Sequence, residues 1–91
     1  MLYTLSNAQY NLSELEEILG NITEQDAVVL WQNGVLQAVK NSQLFAKIAN
    51  LYILEQDVQA RGLAITRSNF QQINLTQLVE LTEKYYPQLA L

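Results

Sequence analysis

The sequence contains no cysteine and no histidine, one proline and three glycines among 91 residues. Without a thiol there is no disulfide, no thiolate nucleophile and no persulfide carrier, and without imidazole the commonest general base is gone. Both absences together remove the usual zinc ligands. A Ser or Thr nucleophile would lack its activating base. Basic residues are also scarce, five Lys and Arg against nine acids, for a net charge of −4. That balance argues against gripping a phosphate backbone, which takes clustered positive charge. The glycines, Gly20, Gly34 and Gly62, stand alone rather than in a phosphate-cradling loop, so neither flavin nor dinucleotide is expected and no cofactor is implied. No run approaches the roughly 20 apolar residues of a membrane span, and Met1–Leu5 lacks a basic leader, so the expectation is a soluble cytoplasmic chain.

What is present is apolar: 49% hydrophobic residues with only 15% charged, enough for one small domain and too short for two. A domain of this size, stapled by neither disulfide nor metal, gains from oligomerisation. Strand and helix signals alternate. Residues 1–5 read as a strand. Asn11 and Ser13 offer overlapping N-caps, each with a Glu three residues on, before a helix with Leu12, Leu15, Ile18 and Leu19 on one face. Gly20 is expected to end it in the left-handed conformation. Ala27–Trp31 is the clearest strand. Asn33-Gly34 follows it, and the helical spacing of Val35, Leu36, Ala38 and Val39 makes this a strand-to-helix turn rather than a hairpin. A second helical piece starts near Ser42, Leu51–Leu54 is a third strand, and Glu55–Arg61 is a short helix closed by Gly62. Within the stretch from Leu63 to Ile73, Phe70–Ile73 suggests an edge strand. Asn74 or Thr76 caps a last helix that Pro87 stops. The order implies a small three-layer α/β/α domain with a mostly parallel sheet of four or five strands.

Little in this pattern carries chemistry. Lys40, Lys47 and Lys84 have polar neighbours and read as solvated. Glu14/Glu17 and Glu80/Glu83 sit on exposed helical faces. Glu55 and Asp57 follow the third strand at its carboxyl end, where open sheets place ligands, and could hold a magnesium ion. The competing role is helix capping plus an Asp57–Arg61 contact. Trp31, Tyr85 and Tyr86 are candidates for a partner interface, because such side chains bury large area while keeping a polar tip. The apolar tail Pro87–Leu91 would suit docking on a partner as well.

Four segments, in order, resemble the DsrH/TusB family of sulfur-relay proteins: Met1–Leu5; Val28-Val29-Leu30-Trp31-Gln32-Asn33-Gly34-Val35 with Ala38-Val39; Leu51–Leu63, containing Ala60-Arg61-Gly62-Leu63; and Leu78–Thr82. The resemblance implies the DsrE/DsrF/DsrH-like α/β fold. It implies further a place beside TusC-like and TusD-like subunits, two copies of each. That assembly receives persulfide sulfur from TusA and passes it through TusE towards MnmA, for 2-thiolation of the wobble uridine of transfer RNA. Some family members carry a cysteine and this chain has none, so the persulfide would belong to a TusD-like partner. The missing thiol speaks against the related DsrEFH sulfur-oxidation branch. The matching positions Asn33, Gly34, Asp57, Arg61 and Gly62 are expected to be structural, not catalytic. No direct contact with nucleic acid or membrane is expected, and the isolated chain could self-associate. A small metal-dependent enzyme using Glu55 and Asp57, and a free-standing binding module or homodimer, are the alternatives.

Overall fold

The computed structural model describes residues 1–65 and 69–91. β1 (Leu2–Leu5), β2 (Ala27–Leu30), β3 (Leu51–Leu54), β4 (Gln71–Ile73) and β5 (Gln88–Ala90) form a single sheet in the order β4-β3-β2-β1-β5. Every neighbouring pair is parallel, with Leu2 opposite Ala27, Val28 opposite Leu51, Tyr52 opposite Gln71, and Leu2 opposite Gln88. Parallel pairing requires crossovers, and helices supply them: α1 (Leu12–Gly20), α2 (Gln37–Lys40), α3 (Glu55–Ala60) and α4 (Leu75–Lys84). Tight 3-10 turns at Gln32–Leu36 and Ser42–Phe45 flank α2.

Alternation along the strands divides the core in two. Leu5, Val28, Leu30, Leu51 and Ile53 point to the face covered by α1, α2 and α3, with Leu15, Leu19, Ala38 and Val58. Leu2, Ala27, Val29, Leu54 and Ile73 point to the other face, covered by Leu81 of α4. Burial on both sides is why β2 is apolar throughout.

The local chemistry resolves the open choices. Asn11, not Ser13, caps α1, its side chain accepting from the Glu14 N–H at 3.1 Å. Asn74, not Thr76, caps α4, and Gln77 completes a reciprocal capping box with both bonds at 2.8 Å. Gly62 takes φ +60, and the bonds Leu63 N–H to Val58 O and Gly62 N–H to Gln59 O, both 3.1 Å, form a Schellman stop after α3.

Three expectations need correction. Gly20 is the last residue of α1 rather than a left-handed terminator, because Asn21 ends the helix at φ −97. The Asn21 side chain donates to the free Glu17 carbonyl at 2.9 Å, so no left-handed residue is needed there. Leu12 is half exposed, since only Leu15 and Leu19 of α1 reach the sheet. The tail docks on its own chain: Gln88–Ala90 is β5, lying on the open edge of β1. The Leu2 N–H donates to Pro87 O at 3.0 Å and the Leu91 N–H to Thr4 O at 2.8 Å. The expected edge strand near Phe70–Ile73 is present as β4, while residues 66–68 of the stretch between Leu63 and Ile73 lie outside the described residues.

Candidate functional site

Strand-ends β2 and β3 lie side by side at the carboxyl edge of the sheet, and the motif residues gather there. The turn leaving β2 starts at Gln32, whose φ of +52 is costly for a residue with a Cβ. Asp57, in the first turn of α3, steadies it: Oδ2 accepts from the Gln32 backbone N–H at 2.6 Å. A charged acceptor at that length makes one of the stronger hydrogen bonds available to a backbone donor. Arg61, one helical turn on, reaches the same loop. Its Nε and Nη2 donate to Asn33 Oδ1 at 3.3 and 2.7 Å, and its Nη1 donates to Asp57 O at 3.2 Å and pairs with Asp57 Oδ1 at 3.5 Å. Asn33, Asp57 and Arg61 thus form one clasp between two loops.

Gly34 serves the same turn through close approach. A Cβ there would overlap the Leu5 carbonyl group, which itself accepts from the Trp31 N–H at 3.1 Å. The turn can therefore lie against the end of β1 only with glycine at this position. Gly62 stands beside the clasp as the helix stop. In this cluster the acceptors and the guanidinium satisfy one another, so its chemistry is that of a fastener. Glu55 and Asp57 do not act as a pair: Glu55 is exposed and accepts from Gln59 at 3.2 Å, while Asp57 faces Gln32 and Arg61. Among the described residues no group of three metal-ligating side chains occurs.

The candidate interface aromatics separate. Trp31 and Tyr85 are partly buried against the α4-side core, whereas Tyr86 is 73% exposed. The buried Trp31 Nε1 has no hydrogen-bond partner among the described residues. Tyr52, on the same face, has its phenol pushed above the usual value by burial and by neighbouring Tyr85.

Two residues escaped sequence reasoning. Gln37 is the one buried polar side chain in the described core; it donates to Ala8 O at 2.7 Å and accepts from Asn41 at 2.8 Å, tying the β1–α1 loop to α2. Tyr10 accepts from the Asn7 N–H at 3.0 Å and donates to Leu91 O at 3.1 Å, joining that loop to the tail. Gln37 sits in an amphipathic stretch where a glutamine reads as surface, so nothing in the sequence marks it.

The two fastened loops, from Gln32 to Gly34 and from Asp57 to Gly62, lie inside the region matched by the family model described as DsrH like protein, residues 7–88. The chain belongs to the DsrH family. It is 47% identical to an uncharacterized protein of Haemophilus influenzae over the whole of both chains. It is 39% identical to Protein TusB of Yersinia enterocolitica and 40% identical to Protein TusB of Yersinia pestis, over 99% of each chain in both cases. The DsrH/TusB resemblance read from the sequence is therefore correct, and the segments that carried it are β1, β2 with its turn, β3 with α3, and α4. In this DsrH family member Asn33, Gly34, Asp57 and Arg61 meet in the fastened loops, and Gly62 stands beside them at the end of α3. Among the described residues no helix is long and apolar enough to cross a membrane.

Proposed function

We propose that the chain is a non-catalytic subunit of a cytoplasmic, TusBCD-like sulfur-relay complex serving 2-thiolation of the wobble uridine in transfer RNA. The observation that carries this reading is end-to-end similarity to proteins named TusB in a chain with no thiol of its own. A persulfide passes on its outer sulfur when an acceptor thiolate attacks it and the donor leaves as a thiolate. That step needs a cysteine on each side, so the carrier cysteine sits on a TusD-like partner, with TusC-like and TusD-like subunits completing a 2:2:2 assembly between TusA and TusE, upstream of MnmA. Net charge −4 fits a protein-to-protein relay that leaves transfer RNA to a later enzyme. Asn33, Gly34, Asp57, Arg61 and Gly62 act structurally here, keeping the strand-end loops in the shape the assembly requires.

Co-expression with TusC-like and TusD-like proteins from the same organism tests the assembly, which should purify as one stable complex. Deleting the gene should lower 2-thiouridine at the wobble position, measured by nucleoside mass spectrometry, and returning it should restore the level. Undiminished thiolation in the deletion strain, or persulfide found on this chain purified alone, would refute the reading.

A further inference from the structure

Two constraints on the turn after β2 meet in one dipeptide. Position 34 needs glycine, because a Cβ there would overlap the Leu5 carbonyl group. Position 33 supplies the acceptor for Arg61, with Asn33 Oδ1 at 2.7 and 3.3 Å from two guanidinium nitrogens. Asparagine followed by glycine is the pair that loses its side-chain amide most readily, since no Cβ on the second residue hinders the approach of its nitrogen. Of the eight asparagines in the chain, only Asn33 precedes a glycine.

The chemistry needs no enzyme. Base removes the Gly34 amide proton, the nitrogen attacks Asn33 Cγ, and the Cγ–Nδ2 bond breaks as ammonia leaves. Water then opens the succinimide at either of its carbonyls. Opening at Cγ gives aspartate. Opening at the main-chain carbonyl gives isoaspartate, in which the chain runs through Cβ and is longer by one methylene.

The folded turn keeps the reacting atoms apart. The Gly34 N–H is buried and donates to Trp31 O at 2.9 Å, which shields the nitrogen from base. Ring closure has to bring that nitrogen into eclipse with Asn33 Cβ. Such a rotation lies far from the ψ of about −20 to −30° typical of a 3-10 turn like Gln32–Leu36. Asp57 holds the turn through the Gln32 N–H at 2.6 Å. Arg61 acts in both directions: it fixes the Asn33 side chain, yet it would also stabilise the negative charge gathering on Oδ1 during attack. The barrier therefore resides in the backbone of the turn, and Asp57 is its anchor.

We propose that Asn33 is a latent modification site, converted to aspartate or isoaspartate by attack of the Gly34 nitrogen, and that Asp57 guards it by holding the turn in a shape that cannot cyclise. Conversion is confined to moments when the turn opens, so its rate follows the open population. Aspartate keeps the backbone and an acceptor for Arg61. Isoaspartate does not let the turn reclose: the extra methylene lengthens a segment in which Gly34 already lies against the Leu5 carbonyl.

The test ages the full chain in mildly alkaline buffer as wild type, Asp57→Ala and Asn74→Ala, with wild type in guanidinium chloride as the unfolded reference. Peptide mass spectrometry reads conversion at Asn33, electron-based fragmentation separates isoaspartate from aspartate, and circular dichroism checks that each variant folds. Folded wild type should convert about tenfold more slowly than the unfolded chain, or slower still. Asp57→Ala should convert about tenfold or more faster than folded wild type, the factor that a charged hydrogen bond to a backbone donor represents. Asn74→Ala weakens the fold at the remote cap of α4 and should leave the Asn33 rate near wild type. If Asp57→Ala does not fold, Asp57→Asn replaces it, with a smaller rise expected from its uncharged acceptor. Equal rates in folded and unfolded wild type, or wild-type conversion in the folded Asp57 variant, overturn the proposal. An equal rise in Asn74→Ala overturns it as well, because the site would then open only with the whole chain.

Discussion

Replacing Gly34 with alanine isolates one close approach in the fold. The backbone at Gly34 is outside the left-handed region, so alanine meets no conformational obstacle there. What it meets is the Leu5 carbonyl, which a new Cβ would overlap. The turn must move off β1, and the Trp31 N–H to Leu5 O bond at 3.1 Å lengthens or breaks. Overpacking of a rigid neighbour costs about 1–3 kcal/mol. Losing the hydrogen bond adds about 1 kcal/mol. The sum, about 2–4 kcal/mol, is a large share of the roughly 5–10 kcal/mol expected for a domain of this size. With a urea dependence of about 1–1.5 kcal/mol/M, the unfolding midpoint should fall by about 1.3–4 M. Gly20→Ala is the internal control, because a Cβ there meets nothing and Gly20 is helical. It should raise stability by about 0.5 kcal/mol. Equal midpoints for wild type and Gly34→Ala in urea, followed by circular dichroism, would refute the steric account.

Gln32→Gly relieves a positive φ while keeping the N–H that Asp57 accepts, and should stabilise by about 0.5–1 kcal/mol in the same urea assay. Asn74→Ala removes the bond that the Gln77 N–H donates to the Asn74 side chain, leaving the one from the residue-74 backbone N–H to Gln77 Oε1, and should cost about 1 kcal/mol, with Asn74→Asp close to wild type. The Thr23 backbone N–H, donating to Asp26 Oδ2 at 3.0 Å, holds the Asp26 carboxyl below its usual value of 3.8, with help from the Met1 ammonium at 3.1 Å. A lowered folded value means that the stabilisation is present above 3.8 and is lost as pH falls through the folded value. Thermal unfolding in acid should therefore drop less steeply for Asp26→Asn than for wild type.

Much of this protein is legible residue by residue. β2 and β3 are apolar throughout because both sheet faces are covered, and a continuous apolar run shows that without any partner in view. Caps are local, so spacing within one turn marks the Gly62 stop and narrows the caps to Asn11 or Ser13 and to Asn74 or Thr76, a choice the hydrogen bonds then make for Asn11 and Asn74. The absent thiol is a property of composition alone, and with it the need for a sulfur carrier elsewhere. Long-range geometry is a different matter. Gln88–Ala90 is a strand only because β1 leaves an open edge, and three exposed residues announce nothing by themselves. Asp57 looks like the cap of its own helix; its carboxylate instead reaches Gln32, 25 positions earlier, because parallel strands bring their ends together. Gly34 looks like a turn former, and its actual constraint is the backbone of the neighbouring strand. Periodicity puts Leu75 and Val79 on one side of α4, but only the folded chain shows that both stay half exposed while Leu81 meets the sheet. Side-chain patterns act over a few residues and declare themselves in sequence; steric and hydrogen-bond partners assembled by topology exist only once the chain has closed on itself.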